Sequence, residues 1–190
     1  MENNLSKSIF AGIAIALGCV LYLLAPNPTI GAVLFSCGLL CVRIYKLNLF
    51  TGKTQFMAAV NYYPLSYYII VLIGNLLGIA IIGGITYTMT HDAAVPLAVA
   101  KAAQSPALAL VKGIGCGMLM SLATYEKSPL WMCLLCVPAF ILTGLNHCIA
   151  DAYYALVGEK IGLSFLTTIF GNIIGGSLLM SGLWHKESNI

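Results

Sequence analysis

Between Ile9 and Trp184 the chain is a succession of apolar runs separated by short polar breaks. A helical crossing of the hydrocarbon core of a bilayer needs roughly 20 apolar residues, so the spacing of the breaks predicts the architecture. Residues 9–24 form a first span, ended by Ala25-Pro26-Asn27-Pro28, and residues 30–45 a second, running into Lys46-Leu47-Asn48-Leu49-Phe50-Thr51-Gly52-Lys53. Residues 65–89 make a third, and a polar stretch over 90–105 leads to a fourth at 107–125. After the turn Glu126-Lys127-Ser128-Pro129, a fifth span over 130–142 is interrupted at Gly144-Leu145-Asn146 and resumes over 148–157; residues 162–184 are the sixth. The expected fold class is an all-α membrane protein with six transmembrane helices, and residues 1–190 read as one integral membrane transport domain.

Composition excludes a soluble globule. Hydrophobic residues are 60% of the chain and charged residues 8%, with mean hydropathy +0.95. The polar start, Met1 to Lys7, leads into an apolar run with no convincing cleavage site and reads as the head of a first helix, not a removable signal. The seven cysteines fall almost wholly inside apolar segments, an odd count without a secreted-scaffold pattern, and predict no disulfide framework. Basic residues orient the chain: with the N-terminus inside, Lys7, Arg43, Lys46, Lys53, Lys127 and Lys186 lie at the cytoplasmic face, against Lys101 and Lys160 outside. This predicts a multi-pass protein of the cell (inner or plasma) membrane with both termini cytoplasmic.

Spans two and five are the interrupted pair, and they hold corresponding places in a three-plus-three division. That is how an inverted repeat with broken helices reads from sequence, the first repeat covering about 8–90 and the second about 105–185. Irregular backbone at membrane depth is tolerated only where protein or a water-filled cavity satisfies it, so a site is expected between the breaks, with the half-helix starts at Thr51 and near Asn146 aiming partial positive charge at the midplane. His147 lies in this region, and an ionisable group inside the membrane is a functional-site hypothesis by default. Asp151 follows four residues later, on the same helical face, where a carboxylate would favour imidazolium; alternatively it caps backbone groups or pairs with Lys112. Lys112, inside the fourth span, needs a partner or a route to water.

The strings Asn48-Leu49-Phe50-Thr51-Gly52, Gly144-Leu145-Asn146-His147-Cys148-Ile149-Ala150-Asp151 and Gly171-Asn172-Ile173-Ile174-Gly175-Gly176, with Gly74-Asn75-Leu76-Leu77-Gly78 as counterpart in span three, resemble the formate/nitrite transporter family over nearly the whole chain. The resemblance implies an aquaporin-like six-helix protomer, a homopentamer with a pore in each protomer, and passage of small monovalent anions or their conjugate acids. By the same resemblance His147 is the central histidine, Thr51 the threonine of a mobile loop, and Lys101 the cation of the outer vestibule. Phe35, Leu39, Leu49 and Phe140 match the two hydrophobic constrictions.

The polar shell departs from the family pattern. Asn146 stands where an acid usually precedes the histidine, Asn48 where an acid precedes the Leu-Phe-Thr string, Gly117 where span four carries an asparagine, and Asp151 where an asparagine follows the histidine. Formate is the leading cargo, being the family's commonest, with nitrite and hydrosulfide as alternatives. A bare anion crossing a dry slit would forfeit hydration at an idealised cost of tens of kcal/mol, which predicts passage as the neutral acid with His147 as proton donor.

Two other function classes compete. A neutral-solute channel would share the broken-helix layout, but paired Asn-Pro-Ala signatures are missing. A membrane enzyme or metal site drawn from His147, Cys148 and Asp151 would want a second histidine, and His91 and His185 fall at span ends. No enzyme activity, metal, cofactor or nucleic-acid partner is expected. The glycines Gly12, Gly18, Gly74, Gly78, Gly171, Gly175 and Gly176 read as close-packing positions, and Asn75 and Asn172 as side chains that hydrogen-bond the broken helices.

Overall fold

The computed structural model describes residues 2–58 and 62–187, with side chains described for 4–57 and 62–179. His185 and Lys186 therefore lie outside the described side chains. The described elements are helices joined by turns: α1 (Glu2–Leu24), α2 (Pro28–Ile44), the short α3 (Phe50–Lys53) running into a 3₁₀ turn (Thr54–Ala58), α4 (Leu65–Ala102), α5 (Pro106–Thr124), α6 (Met132–Leu142), α7 (Cys148–Val157) and α8 (Ser164–Glu187). Three of them, α1, α4 and α5, are long and apolar enough to cross a membrane by themselves. α2, α6, α7 and the 164–179 part of α8 are shorter apolar stretches, and α6 and α7 follow one another across an interruption.

Local chemistry starts these helices. Asn27 caps α2 by accepting from the Ile30 N–H, and Ser105 caps α5 by accepting from Leu108 N–H, with Pro28 and Pro106 in the first turn where a missing N–H costs nothing. α1 packs along α4 and α2, and α5 along α8 and α6. Glycines permit the close approach. A β-carbon at Gly12 would collide with the Asn75 carbonyl, and one at Gly117 with the Asn172 carbonyl.

The expected third span is corrected here. It does not end at residue 89; α4 continues through Pro96 to Ala102, 38 residues in all. At 1.5 Å per residue that is about 57 Å, well beyond a hydrocarbon core of about 30 Å, and most of the expected polar stretch, residues 90–102, is helix. Hydroxyls satisfy backbone on the way: Thr86 Oγ1 donates to the Ile82 carbonyl and Thr90 Oγ1 to the Thr86 carbonyl. The extension carries Lys101 on its last turn.

α2 and α6 end alike. Leu47 N–H reaches the Val42 carbonyl and Lys46 N–H the Arg43 carbonyl; Leu145 N–H reaches the Phe140 carbonyl and Gly144 N–H the Ile141 carbonyl. This is the paired 6→1 and 5→2 closure that requires a left-handed residue after the helix, filled by Lys46 at φ 50° and Gly144 at φ 68°. The chain then runs extended for a few residues before helix resumes at Phe50 and at Cys148.

Candidate functional site

An extended segment in a protein interior leaves backbone groups that need partners, and in both breaks an asparagine from a neighbouring helix supplies them. Asn75 on α4 accepts from Phe50 N–H at 2.8 Å and donates to the carbonyls of Asn48 at 2.9 Å and Ser8 at 2.7 Å. Asn172 on α8 accepts from Cys148 N–H at 2.8 Å and donates to the carbonyls of Asn146 at 2.8 Å and Gly113 at 2.9 Å. Both asparagines are fully buried. They fulfil the bridging role expected of them.

The residue spanned by each bridge is Leu49 in one break and His147 in the other. His147 is buried and caps α7: its Nδ1 accepts from Ala150 N–H at 3.1 Å. With Nδ1 accepting, a neutral ring carries its proton on Nε2, which faces Thr51 Oγ1 at 2.9 Å. Thr51, buried on α3, thus accepts from the imidazole and keeps its own hydroxyl hydrogen to offer. The two breaks meet at this hydrogen bond.

Aromatic rings pack beside it. Phe140 stacks on the His147 ring with centroids 5.5 Å apart, and Phe35 meets Phe140 edge-on at 5.9 Å. Phe35, Leu39, Leu49 and Phe140 are all at most 3% exposed. The four side chains expected at constrictions are thus in the interior of the bundle, with two of them packed in sequence against the histidine.

Asp151 does not turn to His147, nor to Lys112. Its carboxylate pairs with Lys101 Nζ at 2.7 Å, and its backbone N–H donates to the His147 carbonyl at 2.8 Å. Lys101 also donates to Asn146 Oδ1 at 3.1 Å. The imidazolium reading loses its support, because the carboxylate is engaged elsewhere, and Nδ1 serves as an acceptor. A proton on Nδ1 would break the cap and set positive charge at a helix N-terminus, where the dipole opposes it. Lys101 itself is a residue of α4 and not of a loop.

Asn146 is saturated. Its amide donates to Gln104 Oε1 at 2.6 Å and to Thr168 Oγ1 at 3.2 Å while its oxygen takes the lysine. Asn48 is held more loosely: its oxygen accepts from the Tyr67 hydroxyl at 3.3 Å and its amide reaches Asn4 Oδ1 at 3.5 Å. Gln104, Thr168 and Tyr67 went unnoticed in the sequence because nothing about a lone polar residue in an apolar run tells which distant amide it meets. Lys112 is half-buried, with its Nζ 3.8 Å from the position a β-carbon would take at Gly144. That is just beyond the C-terminal carbonyls of α6, where a cation is favourable.

The residues 1–186 match the model of the family described as formate/nitrite transporter. The chain belongs to the formate/nitrite transporter family. Among solved structures it is similar to an "FNT family ion channel", with TM-score 0.81, 21% identity, 97% of this chain and 90% of that chain covered. It is similar as well to a "Pentameric formate channel with formate bound", with TM-score 0.78, 19% identity, and 99% and 97% covered. At these identities the likeness speaks for a common fold. No curated protein matches it in sequence. As a member of this family the chain is an all-helical membrane channel or transporter, and its known relatives are not enzymes.

Proposed function

We propose that the protein conducts small monovalent anions, formate first, through a pore in each protomer, the proton crossing together with the anion as the neutral acid. The observation that carries this reading is the buried Thr51–His147 hydrogen bond, which joins the two broken helices beside the stacked rings of Phe140 and Phe35, with Leu39 and Leu49 buried in the same interior. A site this apolar offers an ion no substitute for water, and the desolvation of a bare carboxylate is worth tens of kcal/mol on an idealised scale. The neutral acid escapes that cost. It needs an oriented hydrogen-bond group in the dry segment, and the Thr51 hydroxyl, oriented by the imidazole Nε2–H, qualifies.

In this reading His147 is a fixed hydrogen-bond donor more than a proton reservoir, because its Nδ1 is committed to Ala150. The proton comes with the substrate from water. The two breaks, closed by the same helix-ending turn and bridged by Asn75 and Asn172, support an inverted three-plus-three repeat of six crossings in which α2 with α3, and α6 with α7, are the broken members. The distribution of basic residues supports a cell-membrane protein with both termini in the cytoplasm. The exposed apolar flank formed by Phe10, Leu17 and Leu21 on α1 with Cys37 and Cys41 on α2 suits contact with lipid and with neighbouring protomers, in keeping with a homopentamer.

Uptake of formate, nitrite and hydrosulfide into proteoliposomes over a pH series tests the reading. Saturable formate flux that climbs as pH falls and is lost in Thr51→Val and His147→Ala is expected. Flux that is flat with pH, or untouched by both substitutions, would refute it, and a preference for nitrite or hydrosulfide would reassign the cargo within the family.

A further inference from the structure

Among the described side chains three buried polar atoms meet no hydrogen-bond partner: Ser36 Oγ, Gln55 Oε1 and the Tyr68 hydroxyl. Nearly all buried polar groups in folded proteins are paired, so each exception calls for an explanation. Gln55 is the one that adjoins the site described above. It lies in the 3₁₀ turn that follows α3 and is only 2% exposed. There it stands in the wall of a cavity of about 430 Å³ that also reaches Leu49, Gly52 and Thr124. Leu49 and Gly52 flank the buried Thr51 in the chain, so this cavity ends where the dry segment begins.

The partners of the Gln55 amide fix its orientation. Its nitrogen donates to the Gly52 carbonyl at 2.6 Å and to Thr124 Oγ1 at 3.3 Å. The carbonyl is an acceptor only, and the Thr124 hydroxyl spends its hydrogen on the Met120 carbonyl at 2.7 Å. Both contacts therefore demand the nitrogen side of the amide. Oε1 is left on the other side, where none of the described donors meets it. The cations of the same cavity are turned elsewhere: Arg43 gives its guanidinium to the carbonyls of Ala123 and Ser128, and the Lys53 ammonium lies 5.7 Å from the centroid of the Phe56 ring.

We infer that Gln55 Oε1 is the acceptor that reads the O–H of a protonated monocarboxylic acid where the cavity meets the dry segment, and so favours the neutral acid over its anion. The inference rests on the pore reading above and names the group that tells the two protonation states apart. A carboxylate only accepts; opposite an amide oxygen it gains nothing and is repelled, whereas a protonated carboxyl brings the missing donor. An unpaired buried acceptor discriminates sharply, because a ligand that leaves it unpaired also leaves its desolvation uncompensated. Gln55 neither gives nor takes a proton: the proton joins the carboxylate from water and crosses with it. Thr51, next inward, accepts from His147 and keeps its hydroxyl hydrogen for the carbonyl oxygen of the acid.

Formate flux into proteoliposomes, normalised to folded protein, tests this together with melting temperature. Gln55→Met keeps the length of the side chain and removes the acceptor; it should melt near the wild type and carry formate about tenfold more slowly, the effect of one lost hydrogen bond. Gln55→Asn, which keeps an amide but withdraws its oxygen by one methylene, should also lose flux, and it decides the matter where the Met variant does not fold. Thr124→Val removes an anchor of the amide and leaves the acceptor, so its flux should stay near the wild type. Wild-type flux in Gln55→Met, or in Gln55→Asn where that variant decides, overturns the selectivity role and leaves the pore reading standing. Loss of flux in Thr124→Val as large as in Gln55→Met reduces Gln55 to a structural support and overturns the role as well. No formate flux in the wild type overturns both readings.

Discussion

Lys101 Nζ and the Asp151 carboxylate lie 2.7 Å apart, tying the last turn of α4 to the first turn of α7. In the family pattern an acid precedes the central histidine; here that place is Asn146, and the acid is one helical turn further on. Lys101 reaches both, because Asn146 Oδ1 accepts from the same ammonium at 3.1 Å. One cation thus holds both the acid and the amide.

Asp151→Asn should therefore destabilise the protein. Removing one partner of a buried pair costs 3–5 kcal/mol when both charges are fully buried, and with Lys101 21% exposed about 1–3 kcal/mol is expected. The double variant Asn146→Asp/Asp151→Asn should recover more than half of the loss, since Gln104 and Thr168 can turn to donate to the new carboxylate. Thermal unfolding of the detergent-solubilised variants measures both, and a double variant no better than Asp151→Asn would show that Lys101 needs its carboxylate at 151 alone.

Asn75 and Asn172 each satisfy three buried backbone groups. Substituting either by Leu leaves the two groups of its break unpaired, Phe50 N–H with the Asn48 carbonyl or Cys148 N–H with the Asn146 carbonyl, while the Ser8 and Gly113 carbonyls keep their helix bonds; at about 1–3 kcal/mol per group each variant should lose several kcal/mol and assemble poorly. Equal damage from the two is the expected result, read as yield of folded protein and as melting temperature.

The shared ending of α2 and α6 makes opposite predictions for its two left-handed residues. Lys46 holds φ 50° as a non-glycine residue, which costs about 1–2 kcal/mol, so Lys46→Gly should stabilise by about 1 kcal/mol. Gly144→Ala should destabilise by a similar amount. Melting temperatures decide, and a loss on Lys46→Gly would mean that the lysine's charge or stem outweighs its backbone strain.

Much of this was legible in the sequence for identifiable reasons. The breaks showed because Lys46-Leu47-Asn48 and Gly144-Leu145-Asn146 interrupt apolar runs, and an interruption at membrane depth has to be satisfied from elsewhere. Asn75 and Asn172 showed because each is an amide inside a glycine-flanked apolar string. The partner of Asp151 did not show, because it depended on the length of α4. Thr90, Asp92 and Pro96 resemble a loop by composition, yet a helix that has left the bilayer is free to carry polar residues, and Pro96, which removes one hydrogen bond and crowds the preceding turn, does not end α4. With Lys101 in what read as a polar stretch between spans, no periodicity could place it opposite Asp151. Lys46 hid the common ending of the two helices for a simpler reason: a lysine stands where the same turn, at Gly144, uses glycine.

His147 has two roles that a single substitution confuses. It caps α7 through Nδ1 and faces Thr51 through Nε2, so His147→Ala should lose both, including about 0.5–2 kcal/mol for the cap. Asparagine is a good cap and supplies an oxygen for Ala150 N–H, but its amide falls short of Thr51. His147→Asn should thus melt near the wild type while its formate flux falls at least tenfold, about 1.4 kcal/mol in barrier. Thr51→Val should match it in flux and lose about 1–3 kcal/mol in stability, because the buried Nε2–H is left without an acceptor. Parallel melting curves and proteoliposome flux for the three variants separate the roles. Wild-type flux in His147→Asn would reduce the histidine to a helix cap and move the selectivity of the pore to its constrictions and mouths.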